Sequence, residues 1–189
     1  KFFQAYSTGD HKTAVYTYIE MTSFVKRVSR YTTKITIAPS YKEDFEDSKK
    51  IYVEAKFDEA NDLISEDKFD SANAIFLEIE KIEPNFEGQD FEVLKEMALL
   101  EPYYRRGTKK LNNEKFRRAY AEFKFIDGKN SEYKDSKFKL SDALEKGQYT
   151  IGVLKFENLS RDKSSSEYIS SGLTDNILKS GNPFVKLID

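Results

Sequence analysis

The sequence lacks cysteine altogether and contains a single histidine, His11, among its 189 residues. Without cysteine the chain can form no disulfide, no thiolate metal site and no cysteine nucleophile. A Ser-His-Asp triad could be built only around His11, and no neighbouring residue suggests one. We therefore expect no catalytic residue and no enzymatic activity.

The sequence also lacks the patterns that hold cofactors and metal ions. Acidic stretches such as YKEDFEDSKK do not have the spacing or the central glycine of a calcium-binding loop, so they indicate a solvated helix start. No glycine-rich phosphate-binding pattern is present either. We expect neither a metal nor a cofactor.

Long apolar runs and an excess of positive charge are missing as well. No stretch approaches the roughly 20 apolar residues that a membrane-spanning helix needs. Lysine and arginine total 31 against 33 aspartate and glutamate residues, which gives a net charge of −2. This balance does not attract a phosphate backbone, so we expect no nucleic-acid partner. The hydrophobic content of 39% is enough for a core among long solvated helices.

The sequence does contain an internal repeat. The passage beginning at Asp67, DKFDSANAIFLEIEKIEPNFEG, overlays the passage beginning at Glu114, EKFRRAYAEFKFIDGKNSEYKD. Five similar pairs lie 47 positions apart: Phe69 and Phe116, Ala72 and Ala119, Phe76 and Phe123, Ile79 and Ile126, Phe86 and Tyr133. Ala14 and Tyr18 stand 58 positions before Ala72 and Phe76, with Gly9-Asp10 as the turn. They predict an earlier copy with a longer second helix.

The spacing within each copy predicts stacked helical hairpins. Apolar residues share one helical face, with a small residue where two helices approach and an aromatic between hairpins. His11 occupies one of these aromatic positions, so we expect it to pack. The residues expected to pack the repeats are Ala60, Phe69, Ala72, Phe76, Gly107, Phe116, Ala119 and Phe123. Between copies, Tyr41, Phe86 and Tyr133 each precede a charged helix start that Asp or Ser should cap.

These residues resemble tetratricopeptide repeats. Ala60, Ala72, Phe76 and Pro84 keep that family's spacing, and Gly107, Ala119 and Phe123 keep it again, with Tyr103 at the early aromatic position. The period is longer than the family's 34 residues, and Ser131 replaces the proline. The resemblance covers about residues 1–147. It implies a mainly α fold, a tetratricopeptide-like helical-hairpin solenoid that binds protein partners, as in envelope proteins of Bacteroidetes.

Residues 148–189 follow a different pattern. We predict a strand from Tyr149 to Phe156, a helix carrying apolar residues between 168 and 178, a stop at Gly181-Asn182-Pro183, and a strand over 184–188. This order is a βαβ unit with parallel strands. Two strands make a poor sheet, so we expect residues 148–189 to begin an incomplete α/β domain that continues beyond Asp189.

This segment resembles the start of the α/β domain shared by the curli-secretion channel lipoprotein, the penicillin-binding-protein activator lipoproteins and TolB-like domains. The matching residues are Phe156, Asn158, Gly172, Leu173, Thr174 and Asp189. The resemblance implies a protein of the periplasm or outer membrane of a Gram-negative bacterium. A chain that opens at Lys1 without methionine fits a processed or a trimmed product. One such product is a mature lipoprotein, whose lipid anchor before Lys1 would be its link to the membrane. Asn158 and Ser160 are expected to cap a turn.

The cluster Tyr103, Tyr104, Arg105 and Arg106 combines residue types that are enriched at binding hot spots, and it is the candidate partner-binding site.

We expect a non-enzymatic cell-envelope scaffold or adaptor in a secretion, assembly or wall-synthesis complex. Two alternatives remain open. One is a ligand-sensing or enzymatic α/β domain regulated by the repeats. The other is a subunit of a curli-channel-like pore, which needs membrane-spanning strands that residues 1–189 do not contain.

Overall fold

The computed structural model describes residues 1–31, 35–153 and 164–188, and it is mainly α-helical, as predicted. Within these ranges the chain forms eight helices and two short strands. The helices are α1 (Phe2–Ser7), α2 (His11–Val28), α3 (Pro39–Ser65), α4 (Phe69–Ile82), α5 (Phe91–Asn112), α6 (Phe116–Asp127), α7 (Ser136–Gly147) and α8 (Ser164–Lys179). The strands are β1 (Tyr149–Gly152) and β2 (Val185–Ile188).

Internal contacts divide the chain into a first unit, residues 1–99, and a second unit, residues 100–189. The domain boundary predicted between residues 147 and 148 stays a prediction. In the first unit α1 packs on α2, α2 on α3 and α3 on α4, and in the second α6 packs on α7. The longer second helix predicted for the first copy is present, because α2 has 18 residues where α4 has 14 and α6 has 12.

The repeat is visible in the backbone of the turns. Gly9, Asp67 and Glu114 adopt positive φ angles of 74°, 61° and 56°. Each lies two residues before the first residue of α2, α4 or α6. Glycine adopts this left-handed conformation without strain, whereas a residue with a side chain loses stability there. All three hairpins therefore use the same turn, although only the first has a glycine to make it.

The predicted packing residues lie in the interior. Ala60, Ala72, Phe76, Ala119 and Phe123 are fully buried, Phe69 and Gly107 are buried, and Phe116 is half-buried. A Cβ atom added to Gly107 would lie 2.8 Å from Cζ of Phe123. The small residue on α5 thus makes room for the aromatic on α6.

Four phenylalanines form a ring cluster in the first unit: Phe57, Phe76, Phe86 and Phe91. The centroids of Phe57 and Phe76 lie 6.3 Å apart, and those of Phe86 and Phe91 lie 5.3 Å apart, in edge-to-face geometry. This arrangement is favourable for aromatic pairs. All four positions have an aromatic counterpart 47 residues later. Tyr104, Phe123 and Tyr133 form the ring cluster of the second unit, whereas Phe138, the counterpart of Phe91, is 74% exposed.

Two expectations about the linking segments are wrong. Tyr41 does not precede a helix, because α3 already begins at Pro39, whose fixed φ suits the first turn. Asp135 precedes α7 but its side chain makes no capping hydrogen bond; it accepts from Tyr104 instead. Asp10 does cap its helix, accepting from the Thr13 amide at 3.1 Å.

The two strands are parallel, as the predicted βαβ order requires, with Tyr149 opposite Val185 and Gly152 opposite Ile188. Phe184 is not part of β2; its ring packs edge-on to Tyr120 of α6, with centroids 5.0 Å apart. The helix ends at Lys179 and Gly181 has a φ of 63°, which confirms the predicted stop. β1 ends at Gly152, and Val153 is not in a strand as predicted. The rest of the predicted first strand, with Asn158, Ser160 and Asp189, lies outside the described residues. Among the described helices, none has the length and apolarity to span a membrane.

Candidate partner-binding surface

The predicted cluster on α5 separates into parts with different surroundings. Tyr103 stacks on Phe125 of α6, with ring centroids 3.9 Å apart and an interplanar angle of 18°. The guanidinium of Arg106 lies 4.4 Å from the centroid of the Tyr103 ring. We call Tyr103, Arg106 and Phe125 the aromatic–arginine stack. It exists because positions three apart on a helix lie on the same face.

Ionic contacts hold the arginines of this cluster while leaving them accessible. Nε of Arg106 lies 3.3 Å from a carboxylate oxygen of Glu122, which also pairs with Lys110. Nε of Arg105 lies 3.1 Å from Glu101. The side chains of Arg105 and Arg106 remain 50% and 47% exposed. The arginine groups are thus oriented by the fold and still reachable by a partner.

Tyr104 belongs to a different network. Its hydroxyl donates to Asp135 at 2.6 Å and accepts from Lys139 at 3.0 Å. Lys139 also pairs with Asp135. The hydrogen bonds from Lys139 and Tyr104 lower the pKa of the Asp135 carboxyl. Tyr104 therefore ties α5 to the start of α7 and is not part of the same surface as Tyr103.

Glu101 is a buried carboxylate that the sequence reading did not single out. Its oxygens accept from Tyr133 at 2.7 Å and from Arg105 at 3.1 Å, and it pairs with Lys134. Burial opposes ionisation, but the hydrogen bonds from Lys134, Tyr133 and Arg105 outweigh it and lower the pKa of Glu101. The spacing of Glu101 and Arg105, four apart on a helix, is the sequence feature that could have indicated this ion pair.

A second polar network ties together three helices of the first unit. Glu78 on α4 accepts from the hydroxyls of Tyr16 on α2 and Tyr52 on α3, each at 2.6 Å. Burial opposes ionisation of Glu78, but the two hydroxyls lower its pKa, while burial and Glu78 raise the pKa of Tyr16 to about 12. His11 lies nearby on α2, half-buried, with Nδ1 3.3 Å from the buried Ser48 hydroxyl. Within this network each tyrosine hydroxyl has an acceptor, and the Glu78 carboxylate has two donors.

Each unit also has an open cleft. One cleft of the first unit, of about 420 Å³, is lined by residues of both charges on α3 and on the segment after α4. The cleft of the second unit, of about 570 Å³, is lined mainly by basic side chains: Lys115, Arg117, Arg118 and Lys146. We call it the basic cleft. The run Lys115-Phe-Arg-Arg118 was the sequence signal for it.

In the part of the chain that the structure describes, no group of His, Asp and Glu is placed to hold a metal ion.

Comparison with known proteins gives no assignment. No protein-family model, no curated protein and no solved structure matches the chain. The resemblances to tetratricopeptide repeats and to the curli-channel domain therefore stay predictions from the sequence.

Proposed function

We propose that the protein is a non-enzymatic scaffold or adaptor that binds a protein partner through a solenoid of tetratricopeptide-like helical hairpins. The observation that carries this proposal is the aromatic–arginine stack on α5 and α6. Tyrosine and arginine are enriched at the residues that dominate binding energy in protein interfaces. Here they are exposed in part and joined to each other on a helical surface.

The geometry of the stack favours binding because it reduces the entropic cost of association. Ordering a long side chain on binding costs about 0.5–1.5 kcal/mol. Arg106 is already held by the Tyr103 ring at 4.4 Å and by Glu122 at 3.3 Å. A partner carbonyl or carboxylate could therefore bind the guanidinium with little further ordering.

The pairing of the half-buried Glu78 and the buried Glu101 also favours a structural role for the helices. Glu78 and Glu101 each accept hydrogen bonds from side chains in other parts of their own unit. Such networks fix the arrangement of the helices. The proposed location, as a lipoprotein of the periplasm or outer membrane in a secretion, assembly or wall-synthesis complex, rests on the sequence resemblance alone.

Site-specific photo-crosslinking in the cells that produce the protein tests the proposal. A benzophenone amino acid replaces Arg105, beside the stack, or Lys137, an exposed residue at the start of α7 with no ion pair among the described residues. We expect a discrete crosslinked protein from position 105 and not from position 137. The crosslink should be lost when Tyr103→Ala and Arg106→Ala are added. Identical products from both positions, or a product insensitive to the two alanines, would contradict the proposal.

Fractionation of the same cells tests the location. We expect the protein and its crosslinked product in the envelope fraction, and recovery of both in the cytosol would refute the proposed location while leaving the adaptor role to be judged by the crosslinks.

A further inference from the structure

We propose that the basic cleft of the second unit binds an acidic polypeptide segment, an internal stretch of partner protein that carries several Asp or Glu side chains. This inference rests on the proposed adaptor function and adds a second contact with its own chemistry. The cleft lies where the turn before α6 meets the end of α7, and it is formed by residues 114–118 and 146–148.

The charge of the cleft is opposite to that of the chain. Four basic side chains line it, and Glu114 is the one acidic residue among the lining residues. The whole protein carries a net charge of −2. A concentration of positive charge in a concave site raises the local potential and attracts an anionic partner.

Arg117 is held in place at the cleft before any ligand arrives. Its Nε donates to the Gly147 carbonyl oxygen at 3.2 Å. Its guanidinium lies 4.6 Å from the centroid of the Tyr149 ring and 5.6 Å from that of Phe184. Among the described residues its Nη groups have no acceptor. Arginine in this state can bind a carboxylate with two parallel hydrogen bonds.

The other cations supply further binding points. Lys115 and Arg118 are exposed, and neither forms an ion pair with any residue that the structure describes. Lys146 is paired with Asp142 at 2.8 Å on one side and lines the cleft as well. A single carboxylate would engage Arg117 alone, whereas a segment with several acidic side chains can reach Lys115 and Arg118 too.

The size of the cleft favours a peptide over a nucleic acid. A volume of about 570 Å³ holds a few residues of an extended chain, which advances about 3.3 Å per residue. Nucleic-acid binding gains its affinity from neutralising many phosphates in a row. The protein as a whole has more acidic than basic residues, 33 against 31, so the net charge does not attract a long phosphate backbone.

Fluorescence anisotropy with the full chain tests the proposal. The probe is a labelled peptide of alternating Glu and Asp with an amidated C-terminus, and its neutral control carries Gln and Asn in their place. We expect the acidic peptide to bind, with an affinity that falls as salt is raised, and the neutral peptide not to bind. The double substitution Lys115→Glu and Arg118→Glu should weaken binding by about tenfold to a hundredfold, the effect of losing one or two charge-assisted hydrogen bonds.

A matched variant controls for net charge. Lys129 and Lys137 are exposed and lie at the opposite end of the α6–α7 pair, and Lys129→Glu with Lys137→Glu changes the net charge equally. This variant should bind the acidic peptide about as well as the parent, and circular dichroism should show both variants folded. Equal weakening by both variants, or no binding to the parent, would overturn the proposal. So would tighter binding of a short oligothymidylate at the same residues, which would identify a nucleic-acid site.

The crosslinking result and the peptide result are separable. If position 105 captures its partner and the cleft variants bind the acidic peptide as the parent does, the adaptor function stands and the cleft inference fails. If the acidic peptide binds at the cleft and position 105 captures nothing, the inference about the peptide stands while the assignment of the aromatic–arginine stack fails.

Discussion

The ring clusters of the two units occupy the same places in the repeat and are stabilised differently. Phe57 and Phe76 in the first unit and Tyr104 and Phe123 in the second have ring centroids 6.3 Å apart in both cases. The first cluster consists of phenylalanine alone. In the second, Tyr104 and Tyr133 replace Phe57 and Phe86, and each hydroxyl bonds to a carboxylate.

The difference shows how one change of residue type requires others. A buried hydroxyl without a partner costs free energy, so each tyrosine needs an acceptor nearby. Glu101 and Asp135 supply the acceptors, and these acids in turn pair with Lys134, Arg105 and Lys139. The second unit therefore combines apolar packing with a chain of charges, whereas the first unit uses apolar packing at these positions.

The largest effect is expected from removing the central ring of either cluster. Phe76 and Phe123 are fully buried, so Phe76→Ala and Phe123→Ala should each lower the free energy of unfolding by about 3–5 kcal/mol. Phe76 should give the larger value, since it packs edge-on to two rings, Phe57 and Phe91. Urea denaturation measures both. The control Leu77→Ala, on the same helix and 54% exposed, should change stability by about 0.5 kcal/mol or less.

An intermediate effect is expected at the small residue that faces each ring. The Cβ of Gly107→Ala would lie 2.8 Å from Cζ of the fully buried Phe123 ring, so the ring or the helix must shift. The clash outweighs the better helix propensity of alanine, and stability should fall by about 1–2 kcal/mol. Alanine is the natural residue at the counterpart, Ala60. If Gly107→Ala proves as stable as the parent, positions 60 and 107 have equal space for a methyl group and the two units do not differ in this respect. If the clash lowers stability, adding Phe123→Leu should restore part of the loss.

An effect of similar size at neutral pH, which shrinks as the pH falls, is expected at Glu101. Folding lowers the pKa of Glu101, so its contribution is present above the unfolded pKa of about 4.3 and is lost as the pH falls through the folded value. Glu101→Gln should lower the free energy of unfolding by about 1–2 kcal/mol at pH 7. The difference from the parent should shrink between about pH 5 and pH 3.

Urea denaturation at several pH values measures this shrinking difference. The matched substitution Glu54→Gln, at the exposed counterpart position 47 residues earlier, should show no such trend. A difference that stayed constant with pH at position 101 would mean that the carboxylate charge contributes nothing there.

Much of the helical part of the fold could be predicted from the sequence, because its information is local and repeated. The spacing of Phe69, Ala72 and Phe76 defines one helical face, and its recurrence 47 residues later confirms the pattern without any structure. The start of α3 was missed because Pro39 fits a turn as well as a first helical position. The lack of a cap from Asp135 could not be foreseen, because Tyr104, 31 residues away, takes the carboxylate.

The candidate surfaces were less predictable, since they depend on which residues meet in space. The sequence indicated Tyr103 and Arg106 as one group with Tyr104 and Arg105, but only the pairing of α5 with Phe125 separates a surface stack from an internal network. The buried position of Glu101 depends on Tyr133 and Lys134, more than 30 residues further along. The basic cleft likewise joins two segments, at residues 114–118 and 146–148.

The left-handed turn shared by the three hairpins has a consequence for engineering. Because Gly9, Asp67 and Glu114 give the backbone the same bend two residues before a helix, each turn is an interchangeable joint. Chimaeras of this chain are best spliced at these joints, because the backbone enters the following helix with the same left-handed φ in each hairpin. Glycine, already used by the first hairpin, is the natural choice for every such splice.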